Sequence, residues 1–437
     1  MNATQTGIAS SGISRRIFLG GVAAATGTLA LTSCAAGSAI SGGSSSQTLS
    51  ILVLGASDQT LKYLTKTLAP AFADSTGMKL NIQSSDWASG FQKVTTAAAS
   101  GTLTDLVMLG GIWTAPLASK HALLSLDNYL KGYGDKSKFF QPMLEDGAYD
   151  GHTYALPLYS DTRTTVYRKS YLEEAGIDPS KLPETWDDYT DAVQKMSKSN
   201  GGSVEFPADW GIDKGVGLQQ TFAQLMLQVG GSYYDSSGKA RFSSPQGVAA
   251  LEYMMSFYRR KLASIDMVNS GTGPAPIVNG DAGATFSGFG AIQNARQFKP
   301  EAEDDILVGL PLAAESGKDR ITSAWINKIG ISARTKNRDS AWELLQFIFQ
   351  PDHAAKLAEL YGGLPARKDV VNAPYLKGLS PNLTAAAKYV KPQPPSPNML
   401  AIAPQINTAL QQAIRLQGSA ASILTALDLR INEINGV

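Results

Sequence analysis

Two tryptophans stand where apolar runs give out. Trp113 closes the turn Gly110-Gly111-Ile112-Trp113 that follows Leu106–Leu109, and Trp87 comes beside Asp86, just past the run 78–83. In open α/β sheets ligands bind outside the carboxyl ends of the strands, so both indoles are candidates to meet one. An indole offers a flat apolar face. With planar polar groups from Asp, Asn or Arg beside it, such a face suits a ring that has C–H faces and a girdle of hydroxyls, as a sugar does. Bond-breaking chemistry has less to stand on. His121, His152 and His353 are remote from one another and lack metal-motif spacing, so neither a zinc site nor a Ser-His arrangement is indicated. Gly215-Val216-Gly217 lacks the rest of a dinucleotide fingerprint. A carbohydrate-active enzyme would need two carboxylates roughly 5 to 9.5 Å apart. The adjacent acids Asp187-Asp188 and Glu303-Asp304-Asp305 read more simply as a helix start and a charged loop. No catalytic residue, metal ligand or cofactor is assigned.

Cys34 carries different chemistry. It is the only cysteine, so the chain has no internal disulfide and must fold by packing alone. Before it, Arg15-Arg16-Ile17-Phe18-Leu19 opens an apolar, Ala/Gly-rich run that ends in Leu31-Thr32-Ser33-Cys34. A basic end, an apolar stretch and small residues before a cut site make a signal peptide, expected over 1–33. The apolar run would span about 22 Å as a helix, at about 1.5 Å per residue, against a hydrocarbon core of about 30 Å. It is too short to remain as a membrane span. The arginine pair resembles a twin-arginine signal, and the four residues ending at Cys34 resemble a lipobox, which implies acylation of that thiol and a lipid anchor at the outer face of a bacterial cytoplasmic membrane. Residues 34–47 follow with Gly37, Gly42, Gly43 and five serines, a composition that behaves as a flexible tether. The 38 basic and 37 acidic side chains nearly cancel, with or without the leader, and no nucleic-acid partner is indicated.

The body from Thr48 onward exceeds the roughly 250 to 300 residues at which a single core splits, so two lobes are expected. It opens as alternating strand and helix. Leu49–Leu54 is an aliphatic run; Leu61, Leu64, Leu68 and Phe72 recur at helical spacing before Gly77; the strand 78–83, a helix around 91–99 and the strand Leu106–Leu109 follow. That pattern favours a parallel sheet with its crevice at the carboxyl ends. Thr185 reads as a helix cap with acids in the first turn of a helix to about Met196. Further helical patterns cover 341–349 and 409–434, with Pro392, Pro394, Pro395 and Pro397 breaking the chain between them. Trp186, Trp210 and Trp342 lie where core packing is the simplest role.

A longer ordered set of motifs runs along the body. Thr104-Asp105-Leu106-Val107-Met108-Leu109 leads to Trp113 and to Leu123-Leu124-Ser125-Leu126-Asp127, then Tyr154-Ala155-Leu156-Pro157. Asp161-Thr162-Arg163, Tyr167-Arg168-Lys169, Glu174-Ala175-Gly176-Ile177 and Thr185-Trp186 come next, then Gly230-Gly231, Gly280-Asp281-Ala282 and Leu364-Pro365-Ala366-Arg367. In this order the set resembles the extracellular solute-binding proteins of ABC importers, in the cluster that includes maltose- and trehalose-binding proteins. The resemblance implies an α/β, two-lobed periplasmic-binding-protein-like (type II) fold whose lobes close on a ligand about a hinge. It places lobe one at 48–163 plus 326–372 and lobe two at 164–325 plus 373–437, with crossings near 163–166, 325–328 and 370–375.

The same resemblance implies that Asp161 and Arg163 face the ligand near the hinge, that Trp325 is a crevice tryptophan, and that Phe289 stands where relatives often carry one. With Trp113 and Trp87 these make the candidate ligand-binding set. The implied ligand is a carbohydrate and the implied partner an ABC permease; a polyamine, glycerophosphodiester or amino acid is the alternative cargo. Two departures weaken the sugar assignment. Gly110-Gly111 stands where many relatives have an acid, and Asp213-Lys214 where they have a second tryptophan.

Overall fold

The computed structural model describes residues 48–437 except 214–216, 378–379 and 392–395. The leader, the acylation expected at Cys34, the tether, Lys214 and the prolines 392, 394 and 395 therefore lie outside the described residues. Twelve strands are present among the described residues: β1 Thr48–Leu54, β2 Lys79–Ser85, β3 Leu106–Leu109, β4 Ala148–Tyr149, β5 His152–Thr153, β6 Ala155–Thr162, β7 Thr164–Arg168, β8 Ala208–Asp209, β9 Ala284–Ser287, β10 Ile306–Val308, β11 Ala324–Ile331 and β12 Leu364–Pro365. They form two main sheets, ordered β12-β6-β11-β3-β1-β2 and β10-β7-β9-β8, with β4-β5 as a small hairpin. The protein is a two-lobed α/β molecule.

In the first sheet β1 is parallel to both β2 and β3, and β11 is antiparallel to β3 and β6. A strand covered on both faces reads as an unbroken apolar run, and all four residues of β3 are buried. Pairing of β6 with β11 slips by one residue between Asn327 and Lys328, opposite Pro157. Proline has no N–H to give the ladder, and a bulge absorbs the loss. Helices cover the sheet. The first is Asp58–Thr76, whose middle turn, Leu64–Leu68, widens to π geometry just before Pro70, where an N–H is missing. Trp87–Ser100 begins at Asp86, whose carboxylate accepts the Ser89 N–H at 2.8 Å, and ends at Gly101 in the left-handed region.

The second sheet packs on Trp186–Met196, Gly217–Gln228, Pro245–Arg259 and the terminal pair Met399–Ile414 and Ala420–Asn435, which together bury Tyr189, Trp210, Phe222, Phe257 and Ile406. Thr185 and Asp188 cap Trp186–Met196 reciprocally, an arrangement worth about 1 kcal/mol. The helical pattern expected over 409–434 divides in two, because Leu416 takes a positive φ of 56° and Gly418 one of 126°. A third apolar cluster joins Val166, Ile306 and Val308 to Phe289, Leu364, Ala373 and Leu383. Among the described residues no helix is long and apolar enough to cross a membrane.

One link between the sheets is very short. Strand β6 ends at Thr162 and β7 begins at Thr164, so Arg163 alone separates them. The return from β10 to β11 runs beside it: the Arg163 N–H donates to the Ser323 carbonyl at 3.1 Å, and Thr322 Oγ1 donates to the Arg163 carbonyl at 2.6 Å.

Candidate ligand site

The strand directions bring one edge of the first sheet together. The ends of β1, β2, β3 and β6 and the starts of β11 and β12 share that edge, so Gly363, Asp161, Trp325, Gly110, Gly55 and Asp86 follow one another in sheet order. At about 4.8 Å per strand the row is about 24 Å long. Asp161 and Trp325 are direct cross-strand partners and share a face. Arg163 stands over the same place: its Nη2 donates to Asp161 Oδ2 at 2.7 Å and to Gln220 Oε1 at 2.7 Å. Gln220 belongs to Gly217–Gln228, a helix of the second core, so this guanidinium ties the two lobes across the row.

Several buried polar atoms here have no partner among the described residues: Arg163 Nε, Ser323 Oγ, Trp325 Nε1, Thr114 Oγ1 and both amide atoms of Gln224. Gln224 is one helical turn from Gln220 and therefore on the same helix face. Ser323 adjoins Arg163 through its carbonyl and lies two residues from Trp325. Native interiors leave few such groups unpaired, and a cluster of them calls for an explanation. Its donors and acceptors are amide, hydroxyl and indole groups, and its one cation is already matched by Asp161. Farther along, Tyr159 stacks on Tyr361 at 5.1 Å and 14°. Burial, then Tyr361 and Asp161, hold the Tyr159 phenol well above its usual range, so it stays neutral.

The glycine pair has a packing role. A Cβ on Gly111 would stand 2.9 Å from Trp325 Cε3, and one on Gly110 3.3 Å from both Trp113 and Trp87. The missing side chains make room for three indoles. Lys328, wholly buried, holds the same turn by donating to the Gly111 carbonyl at 2.9 Å while pairing with Asp146. Trp113 is buried against Trp87 and Phe91, with edge-on centroid distances of 5.9 and 5.2 Å.

Of the six residues singled out from sequence, Asp161, Arg163 and Trp325 come together, and Trp113 and Trp87 pair farther along the row. Phe289 does not join them. It is buried in the third cluster, stacked on Tyr375 at 6.0 Å with Arg296 over its ring, although the preceding Gly288 lies close to Asp161. Gln220, Gln224 and Ser323 escaped sequence reasoning. The available signal was glutamine at positions 220, 224 and 228, a polar stripe at four-residue spacing in a largely buried helix that also carries Gln219 and Thr221.

Other residues have structural work. Trp186 donates to Gln228 at 2.7 Å and stacks on Tyr253; Trp210 lies in the second core; Trp342 stacks on Tyr129. The adjacent acids are engaged as well: Asp188 caps its helix, Glu303 binds Arg296, and Asp305 binds Arg168 and the Ser170 N–H. His152 contacts Asp127 and His353 contacts Tyr63. A surface depression of about 700 Å³ lies elsewhere, between Lys181, Glu184, Lys195, Arg320 and Asn382. Arg320 and Glu184 pair there at 2.8 Å, and none of the six candidates lines it.

This chain resembles known proteins along most of its length. The maltotriose-binding protein of Pyrococcus abyssi (strain GE5 / Orsay) is 23% identical over 327 residues, 73% of this chain and 67% of that protein. The sn-glycerol-3-phosphate-binding periplasmic protein UgpB of Escherichia coli (strain K12) is 23% identical over 339 residues, 69% of this chain and 70% of that one. Among solved structures, maltose-bound MalE3 of T. maritima superposes with a TM-score of 0.78 at 23% identity, covering 89% of this chain and all of the other, a likeness of fold. The family model for the bacterial extracellular solute-binding protein matches residues 56–355, well over half of the chain. The protein belongs to the bacterial extracellular solute-binding proteins.

Proposed function

We propose that this protein is the substrate-binding component of an ABC importer, and that it captures a carbohydrate between its two lobes and hands it to a membrane permease. The observation that carries the reading is the cluster around Arg163. A charge-matched guanidinium, an indole N–H and a serine hydroxyl lie beside the link between the sheets, with an uncommitted amide one turn along the helix that supplies Gln220, and hydroxyls of a neutral guest would satisfy them. The reading takes lobe one as 48–163 plus 326–372 and lobe two as the remainder, with Arg163 at the first crossing. Ligand contacts on both lobes would favour the closed state, since only differential contacts shift such an equilibrium. No bond is made or broken. Anchoring through Cys34 at the outer face of the cytoplasmic membrane would keep the receptor near its permease.

A second cargo class has its own support, because a relative is named for binding sn-glycerol 3-phosphate. The Asp161 carboxylate beside Arg163 speaks against an anion at this position. Calorimetry on the body without its leader tests both, using mono- and disaccharides, sn-glycerol 3-phosphate, spermidine and amino acids. Saccharide binding with a tryptophan fluorescence change is the expected result. Binding of the phosphate alone would overturn the carbohydrate while keeping the receptor, and saccharide turnover lost in Asp161→Asn would overturn the receptor.

A further inference from the structure

Strand β11 is apolar but for Asn327 and Lys328, and Lys328 is the only lysine buried among the described residues. Its ammonium has two partners, the Gly111 carbonyl at 2.9 Å and the Asp146 carboxylate. Taking an ammonium out of water is costly, and well-packed apolar side chains in place of a buried ion pair are often neutral or stabilising. Stability alone is therefore a poor reason for a lysine here. What the charge does hold is a stretch of backbone. Lys328 lies three residues past Trp325 on β11, about 10 Å at about 3.3 Å per residue, and its side chain runs back toward the edge of the sheet to reach Gly111. One strand thus clasps Gly111 twice: a Cβ there would stand 2.9 Å from the Trp325 ring and 3.4 Å from the Trp325 Cα, and the carbonyl is taken by Lys328. The residue before it, Gly110, seats Trp113 and Trp87, and its carbonyl accepts the Trp113 N–H at 3.1 Å to close the turn. Three indoles rest on one turn, and an ammonium ties that turn to the strand beside it.

We infer that Lys328 is a positioning residue of the ligand site: by holding the Gly111 carbonyl it keeps the turn pressed on Trp325 and sets how that indole, with its unpartnered Nε1, meets the guest. The inference rests on the reading that the guest binds beside Asp161, Arg163 and Trp325, and adds to it a residue that touches no guest. Asp146 has a different role. Its side chain is 23% exposed, so it neutralises the ammonium from the water side. The two partners of the pair therefore predict opposite outcomes. Without Lys328, Asp146 can turn to water and the turn is freed. Without the Asp146 charge, a buried ammonium loses its counterion but keeps its bond to Gly111.

The test compares Lys328→Met, Asp146→Asn and Gly111→Ala with wild type in three measurements. Near-ultraviolet circular dichroism of the ligand-free protein reports how the indoles are held, thermal melts give stability, and calorimetry with maltose, mannobiose and sn-glycerol 3-phosphate gives affinity. Lys328→Met is expected to change the indole signal and to weaken whichever probe binds about tenfold, while its melting midpoint falls less than that of Asp146→Asn. Asp146→Asn should lose the most stability yet keep the wild-type indole signal and affinity in its folded fraction. Gly111→Ala, which pushes Trp325 away from the same turn, should copy the indole signal and affinity of Lys328→Met, and it decides the question if that variant does not fold. An unchanged indole signal or affinity in Lys328→Met, or in Gly111→Ala where it stands in, overturns the inference. Equal changes of both in Asp146→Asn overturn it as well, since the pair would then be structural only. If wild type binds none of the three probes, the carbohydrate reading loses its support and the indole signal decides the inference alone.

Discussion

Two arginines, Arg367 fully buried and Arg163 half-buried, are treated in opposite ways. Arg367, in the Leu364-Pro365-Ala366-Arg367 motif, is 1% exposed and has every part of its guanidinium engaged: Nε and Nη2 reach Asp369 at 2.9 and 2.6 Å, Nη2 also reaches Asp135 at 2.8 Å, and Nη1 reaches the Phe349 carbonyl at 2.7 Å. Arg163 shares a single nitrogen between Asp161 and Gln220, and its Nε has no partner among the described residues. A buried charge whose donors are all committed has nothing left to offer a guest; it fixes backbone. One with donors in hand, beside a link between sheets, can exchange an internal partner for an external one. The difference separates a fastening from a contact, although the two residue types are the same.

The strongest way to break this contrast is at Arg367. Removing one partner of a buried ion pair costs about 3 to 5 kcal/mol, so Arg367→Met should lower stability in denaturant melts by about that much, with ligand affinity of the folded fraction unchanged. An affinity loss without a stability loss would erase the distinction. Asp209 supplies a third case, a buried carboxylate with hydrogen bonds from the Gly211 N–H and Thr285 Oγ1 but no cation. Burial first raises it from 3.8 to about 6. Because the folded value lies above the unfolded one, the stabilisation is fully present below about pH 4 and is lost as pH rises through about 6, a change of about 3 kcal/mol by linkage. Asp209→Asn should flatten that part of the stability profile; an unchanged profile would mean the carboxylate titrates normally. The smallest effect is expected at the contact itself. Arg163→Ala should cost under 1 kcal/mol in stability yet weaken the ligand about tenfold, and Gln220→Ala should weaken it a few-fold, both read by calorimetry.

How much of this could be read from sequence follows from the range of the interactions. Strands β1 to β3 and the Thr185 cap are local patterns, set by period and by residues three apart, and they appear within a few residues of the expected bounds. The Asp161–Arg163 pair is local too. Gln220 is 57 residues from the arginine it meets, and nothing near it in sequence points there. The two glycines at 110 and 111 were legible as a departure from the family pattern, but their reason was not, since it lies in indoles brought from positions 87, 113 and 325. Lys328 reads as a polar interruption of an apolar strand; only the fold brings Asp146 and the Gly111 carbonyl to it. Phe289 shows the opposite failure. Its place in the family pattern was clear, and the cluster that covers it is built from five other stretches of chain, at 166, 277–278, 306–308, 364 and 373–383.

The single residue between β6 and β7 has a mechanical consequence. On the proposed reading, a ligand that draws the Arg163 side chain toward itself would act on the same peptide about which the second sheet would turn, with no relay of packed side chains between the place that feels the guest and the axle of the motion. Sensing and rotation would share one set of backbone torsions. The work of closing would then be done at the pivot, where a small change of angle sweeps the far ends of both lobes through a long arc.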